Sequence, residues 1–62
     1  MKWFFDAISQ YWHVWSANAV NGDSSICGHW LHSQCEPTGG DSNAPKCPTC
    51  DADPRSTGLP FP

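Results

Sequence analysis

Three observations make this sequence a small cross-linked domain rather than one built on an apolar core. The first is size: at 62 residues, a chain buries too little surface for apolar packing alone, and domains this short rely on a disulfide, a metal or a partner. The second is the kind of apolar residue present. Four Trp, three Phe and one Tyr supply much of the hydrophobic fraction, and Ile and Leu are represented only by Ile8, Ile26, Leu31 and Leu59. The third is that all four cysteines and two of the three histidines fall between positions 27 and 50. The run is Cys27-Gly-His29-Trp-Leu-His32-Ser-Gln-Cys35, eleven residues, then Cys47-Pro-Thr-Cys50.

That run points to metal chemistry. Zinc takes tetrahedral sets of thiolate and imidazole ligands, and pairs separated by two residues are common because such a turn aims both side chains at one ion. Cys47-Pro-Thr-Cys50 is such a knuckle, and His32-Ser-Gln-Cys35 is a second pair at the same separation, expected as the first turn of a short helix. Cys27-Gly-His29 is a third pair, two apart, so that extended backbone sends both side chains to one side. Six candidate ligands thus make three pairs, Cys27 with His29, His32 with Cys35, and Cys47 with Cys50, for one zinc ion or two. The competing reading is a secreted peptide in which the four cysteines form two disulfides, with three possible connectivities. A nucleophilic Cys-His site lacks an orienting third group, and a chain this short seldom builds a substrate pocket. No catalytic nucleophile is expected.

Residues 1–20 form the first segment. Within it Phe4, Ile8, Tyr11 or Trp12, and Trp15 recur at spacings of three and four, which predicts a short amphipathic aromatic helix packed over the metal module. A strand reading also survives, because aromatic residues favour strands. Asn21-Gly22-Asp23-Ser24-Ser25 is a turn cluster that ends this segment near Val20 and leads into the metal module, residues 21–50. Residues 36–45, with two prolines and two glycines, read as a mobile loop. From Asp51 onward Pro54, Gly58, Pro60 and Pro62 predict an extended, flexible tail over residues 51–62.

Three basic residues against six acidic ones give a net charge of -3. Lys2, Lys46 and Arg55 are too scattered to make a phosphate-binding stripe, so direct nucleic-acid binding is not expected. No run of about 20 apolar residues exists to span a membrane. The start, Met1-Lys2 then Trp3-Phe4-Phe5 and ending in Ala17-Asn18-Ala19, imitates a secretory signal, but Asp6, Gln10 and His13 interrupt its apolar middle. An intracellular protein, cytoplasmic or nuclear, is expected, with the secreted peptide beginning near Val20 as the alternative.

Written as C-x-H-x2-H-x2-C-x11-C-P-x-C, residues 27–50 resemble the last six ligands of a RING finger of the two-histidine subclass. The resemblance implies a cross-brace of two zinc ions, with Cys27, His29, Cys47 and Cys50 around one and His32 and Cys35 on the other. It also implies contacts to a ubiquitin-conjugating enzyme from Ile26 and Pro48, and an activity that is at most ubiquitin ligation by recruitment. This chain departs from the pattern. It has no cysteine before Cys27, so only His13 or a carboxylate such as Asp6 or Asp23 can complete the second site. A Pro/Gly loop follows Cys35 in place of a helix, and Asp51 replaces the basic residue often found after the last cysteine.

Trp30-Leu31-His32-x-x-Cys35 also resembles the W-x-H-x2-C segment of PHD fingers. Gly28-His-Trp-Leu-His-Ser-Gln-Cys35, Cys47-Pro-Thr-Cys50-Asp and Tyr11-Trp12 are similar to words in the PHD finger of the second V(D)J recombination-activating protein, although in a different order. That resemblance implies that Trp30, with Tyr11 or Trp12, walls an aromatic cage for a methylated, histone-like tail, held by cation–π attraction. The expected fold is therefore a small zinc-stabilised domain of RING or PHD character, with a short N-terminal aromatic helix and an irregular tail. Its expected work is protein–protein interaction, in ubiquitin transfer or in reading a basic tail.

Overall fold

A computed structural model describes residues 1–61 of the chain. Among the described residues, strand β1 (Lys2–Asp6) and strand β2 (Tyr11–Trp15) form an antiparallel hairpin, and a two-residue strand β3 (Cys35–Glu36) adds to the other edge of β1. The sheet order is β2-β1-β3. A short helix α1 (Pro48–Ala52) and a single 3₁₀ turn (Pro54–Ser56) follow.

The N-terminal segment is thus a hairpin and not the expected helix. Its aromatic residues do recur every three or four positions, but the pleat buries both faces of the hairpin, so residues of either parity are covered. Trp3, Phe5, Trp12 and Val14 lie in one cluster with Cys50, against which Ile26, Ala44 and Leu59 pack. Phe4 and Trp15 lie in a second cluster with Leu31. Ile8, which belonged to the helical stripe, sits in the connecting turn and is 73% exposed. That turn is built by Asp6, whose side chain accepts the Ile8 N–H at 2.8 Å, and by Gln10, whose φ of 63° places it in the left-handed region. Asp and Asn side chains commonly bond the backbone two residues on in this way.

The outer edge of β2 is not left open. The Trp12 N–H donates to the Pro45 carbonyl at 3.0 Å, and the Cys47 N–H donates to the Trp12 carbonyl at 2.7 Å. Further along, the Ile26 N–H donates to the Val14 carbonyl at 3.0 Å, while the Val14 N–H donates to Cys50 Sγ at 3.4 Å. Capping an edge strand with irregular segments suppresses edge-to-edge pairing. Here it also carries three cysteines to one place.

The loop after β3 has no further regular structure but is tied to the core. Gly40 lies against Phe5 so closely that a Cβ there would stand 2.4 Å from the Phe5 Cβ, and the Asp41 carbonyl accepts the Trp12 indole N–H at 2.8 Å.

The segment from Asp51 differs from the extended tail expected. Its first two residues complete α1, which starts with Pro48 at its first position, where a missing N–H costs nothing. Asp53 takes an extended conformation before Pro54, as residues before proline prefer, and so ends the helix. Ser56 is buried, and the Phe61 ring packs edge-on to Trp12 and Trp3 at centroid distances of 4.9 and 5.9 Å. Lys46 Nζ lies over both Trp3 and Phe61, at 5.1 and 4.7 Å from the ring centroids. Proline and glycine shape this segment without releasing it, because Leu59 and Phe61 supply apolar contacts that the aliphatic-poor core lacks. Pro62, the last residue of the expected tail, lies outside the described residues.

Candidate metal centre

Two clusters of metal-ligating side chains form on this frame. The first joins His13, Cys27, Cys47 and Cys50, whose donor atoms all lie within 4.8 Å of one another. Ligands 2.0–2.3 Å from a tetrahedral ion stand about 3.3–3.8 Å apart, so the four are gathered on the scale of a single ion.

Each element has a local reason for its aim. Cys47 and Cys50 flank the first turn of α1, which the Pro48 start and the Asp51 N–H to Cys47 carbonyl bond at 2.8 Å set in place. Cys27 sits in a tight loop organised by buried Ser25. The Ser25 hydroxyl oxygen accepts the N–H groups of Cys27 at 3.3 Å and His29 at 2.9 Å, and it stands 3.0 Å from Cys27 Sγ. Gly28, with φ of 88°, supplies the left-handed residue that the loop requires. His13 comes from the middle of β2, with Nδ1 at 3.4 Å from Cys27 Sγ and Nε2 at 3.1 Å from the Ser9 hydroxyl.

His13, and not His29, is therefore the histidine of the three-cysteine cluster. Cys27 and His29 do not aim at one point, because the Ser25-centred loop turns the chain between them. His29 instead stacks on His13, with centroids 4.3 Å apart and planes 15° apart, and its Nε2 contacts the Asp6 carboxylate.

The second cluster centres on Asp6. Its carboxylate lies within 4.8 Å of donors on His32 and Cys35, and it also forms a group with His13 and His29. His32 Nε2 is 3.1 Å from Asp6 Oδ1. Cys35 arrives through the β1–β3 register, which places it directly opposite Asp6, where cross-strand side chains are neighbours. The segment His32–Cys35 makes a turn into β3, with the Cys35 N–H donating to the His32 carbonyl at 3.0 Å, and not the helical turn expected. Of the carboxylates named from sequence to complete this site, Asp6 is the one present. Asp23 is engaged elsewhere, its side chain accepting the Val20 N–H at 2.9 Å and its carbonyl the Trp15 indole N–H at 2.9 Å.

The electrostatics suit cation binding. Burial alone would raise the Asp6 carboxyl, but the Ile8 N–H and the two histidine rings outweigh it and hold the group well below the usual carboxylate range. Burial first, then the neighbouring His29 ring, push His13 down to about 4 against the pull of Asp6, which keeps the imidazole neutral, the form able to ligate a cation, at neutral pH. Burial pushes the Cys50 thiol up to about 12, with Cys27 adding to the rise. Burial would raise Cys27 as well, but the Ser25 hydroxyl and the neighbouring thiols hold it below the ordinary thiol range. Packed thiols without a cation cannot all ionise, whereas a bound divalent ion deprotonates its thiol ligands outright.

All four cysteines are free thiols. Three converge on one point and Cys35 belongs to the other cluster, so this arrangement gives Cys35 no partner for a two-disulfide scheme. Cleavage near Val20 would also remove the central hairpin, and with it Asp6 and His13. Among the described residues, no helix is long and apolar enough to cross a membrane.

The residues named for partner contact divide. Trp30 is 72% exposed, Pro48 is exposed at the start of α1, and Ile26 is half-buried against the core. Trp12 is fully buried and forms no wall beside Trp30, and among the described residues no aromatic ring pairs with Trp30. The chain matches no protein-family model, no curated protein and no solved structure.

Proposed function

We propose that this chain is a zinc-stapled interaction module, in which the His13, Cys27, Cys47 and Cys50 centre holds a structural zinc ion and the surface around Trp30 and Pro48 meets a protein partner. The observation that carries the zinc assignment is the convergence of three thiols and one neutral imidazole on a point reached from β2, the Ser25 loop and α1. Three thiolates and one imidazole are a closed structural zinc set, with no position kept open for a substrate.

The ion has work to do. It joins the hairpin to the two segments that cap its edge, and apparent binding energies of about 10–16 kcal/mol for structural zinc exceed what a thin aromatic core adds by itself. An interaction role is favoured over a small-molecule one because an exposed Trp is the common anchor of protein interfaces and no concave pocket forms among the described residues.

The partner class rests on the sequence resemblance. Recruitment of a ubiquitin-conjugating enzyme is the first reading. What supports it is that the two clusters interleave along the chain: Asp6 belongs to the second, His13 and Cys27 to the first, His32 and Cys35 to the second again, and Cys47 and Cys50 to the first again. Reading of a methylated tail is weakened by the burial of Trp12.

Native mass spectrometry of the reduced chain tests the zinc reading, combined with chelation followed by amide dispersion. Tightly held zinc whose removal collapses the spectrum is the expected result. A metal-free, reduced chain that keeps its folded spectrum would sink it.

A further inference from the structure

The cluster around Asp6 differs from the three-thiolate centre in each property that governs metal exchange. Cys50 and His13 are 0% and 5% exposed, whereas the His29 and His32 side chains are 35% and 34% exposed, so water and competing ligands reach them. The first centre draws its donors from three separate parts of the chain. The second takes one donor from the end of β1 and the rest from the single segment 29–35.

Charge compensation alone does not account for this second cluster. A buried carboxylate does require partners, and Asp6, at 1% exposed, has the Ile8 N–H and two imidazoles. Cys35, however, contributes nothing to a buried anion as a charge partner. Its position opposite Asp6, with donor atoms of Asp6, His32 and Cys35 all within 4.8 Å, is the geometry of shared ligation.

We propose that Asp6, His32 and Cys35 form a second, exchangeable site for a divalent transition metal, with His29 on the other Asp6 oxygen, whose occupation ties the segment from His29 to Cys35, and exposed Trp30 within it, to the end of β1. Asp6 is the pivot of the site, facing His32 with Oδ1 and His29 with Oδ2. One thiolate, one imidazole and one carboxylate make a mixed set that zinc, cobalt and nickel all accept, with less thiolate character to hold a soft ion than the first centre has. The first centre stays filled while the second responds to the metal available. The site thereby sets how firmly Trp30 is presented. This inference depends on the first centre only for the fold that gathers Asp6, His32 and Cys35.

Cobalt(II) distinguishes the sites, because its thiolate charge-transfer absorption scales with the number of bound sulfurs. The full reduced chain carrying one equivalent of zinc is titrated with cobalt. The expected result is one further equivalent, with absorption from a single thiolate and amide shifts confined to Asp6 and residues 29–35, stripped by a weak chelator before any zinc leaves. His32→Ala lowers the apparent affinity for that equivalent by more than about tenfold and leaves the zinc in place. Cys35→Ser abolishes the charge-transfer band. The proposal is overturned if no cobalt binds beyond the zinc, or if both variants, with folded amide spectra, take up cobalt as the parent does. A three-thiolate cobalt spectrum would instead mean that zinc had not occupied the first centre, which overturns the structural-zinc reading; cobalt still lost in Cys35→Ser and His32→Ala would uphold the second site separately.

Discussion

The imidazoles of His13 and His29 stack 4.3 Å apart, near-parallel at 15°, and this stack is the seam between the two ligand clusters. On one side His13 turns Nδ1 toward Cys27; on the other His29 turns Nε2 toward Asp6. Two rings of the same chemistry therefore fall in two different ligand clusters, and their assignment is decided by backbone position. Substitution separates them. His13→Ala is expected to cost the tightly held ion more than the roughly 10–100-fold typical of outer-sphere partners and to unfold the metal-depleted chain. His29→Ala should leave that ion bound. Native mass spectrometry of both variants decides, and the reverse pattern would restore Cys27, His29, Cys47 and Cys50 as the structural set.

Much of the site was legible in the sequence and part of it was not. The spacing within 27–50 pointed to six candidate donors, all of which lie in the ligand clusters, because ligand pairs are local and a turn of two intervening residues leaves a mark. His13 and Asp6 carry no such mark. Their roles depend on the Phe4–His13 register of the hairpin and on the Asp6–Cys35 register, the second of which joins segments far apart in the chain. Alternation along β2, with Tyr11, His13 and Trp15 on one face, was the available signal. The helical period of the aromatics masked it, since a hairpin covered on both faces buries consecutive residues and destroys the period of two.

Acid sensitivity should begin with His13. Its folded value, about 4, lies below the ordinary 6.5, so between these pH values the unfolded chain binds a proton that the folded chain refuses, and stability falls as pH falls through this window. The full shift corresponds to about 3 kcal/mol. Asp6, held below the usual carboxylate range, contributes stability above its unfolded value near 3.8 and loses it only at lower pH. In the metal-loaded chain acid must also displace the ion from His13 and the thiolates, so tryptophan fluorescence should lose its folded signal as pH falls below about 6.5. A transition confined below pH 4 would assign the acid limb to Asp6.

Gly40 and Gly22 offer a test of the loop that follows β3. A methyl group at Gly40 collides with Phe5, at 2.4 Å from its Cβ and 2.8 Å from its Cγ, whereas Gly22 has φ of 97° and open space around it. Gly40→Ala must displace a core ring, which costs about 1–3 kcal/mol. Gly22→Ala meets only backbone strain, about 1 kcal/mol. Denaturant melts of the zinc-loaded proteins should rank them in that order. Equal losses would mean that the loop moves away from Phe5 at little cost.

The C-terminal segment should matter for stability despite its prolines. Phe61 touches Trp12 and Trp3 and lies under the Lys46 ammonium. Aromatic pairs add about 0.5–1.5 kcal/mol beyond their buried area, so Phe61→Ala is expected to lower the unfolding free energy by about 1–3 kcal/mol without changing zinc stoichiometry. A melt superimposable on the parent's would show that the segment does not pack in solution.

Trp30 is where stability and binding should separate. At 72% exposed it buries little, and surface substitutions of this kind stay within about 0.5 kcal/mol, so Trp30→Ala should melt like the parent. An interface anchor behaves differently, since truncating a buried Trp at an interface commonly costs 2 kcal/mol or about thirtyfold in affinity. Labelled protein titrated with ubiquitin-charged conjugating enzymes, and separately with trimethyl-lysine peptides, reads both effects. Shifts spreading from Trp30 to Pro48 and Ile26 with the enzyme, weakened in Trp30→Ala, are the expected result. Shifts at Trp30 with the peptide alone would favour the tail-reading role, held by one aromatic wall worth about 0.5–2 kcal/mol. If neither ligand moves any amide at millimolar concentration, both partner classes fail and the zinc-stapled fold stands without them.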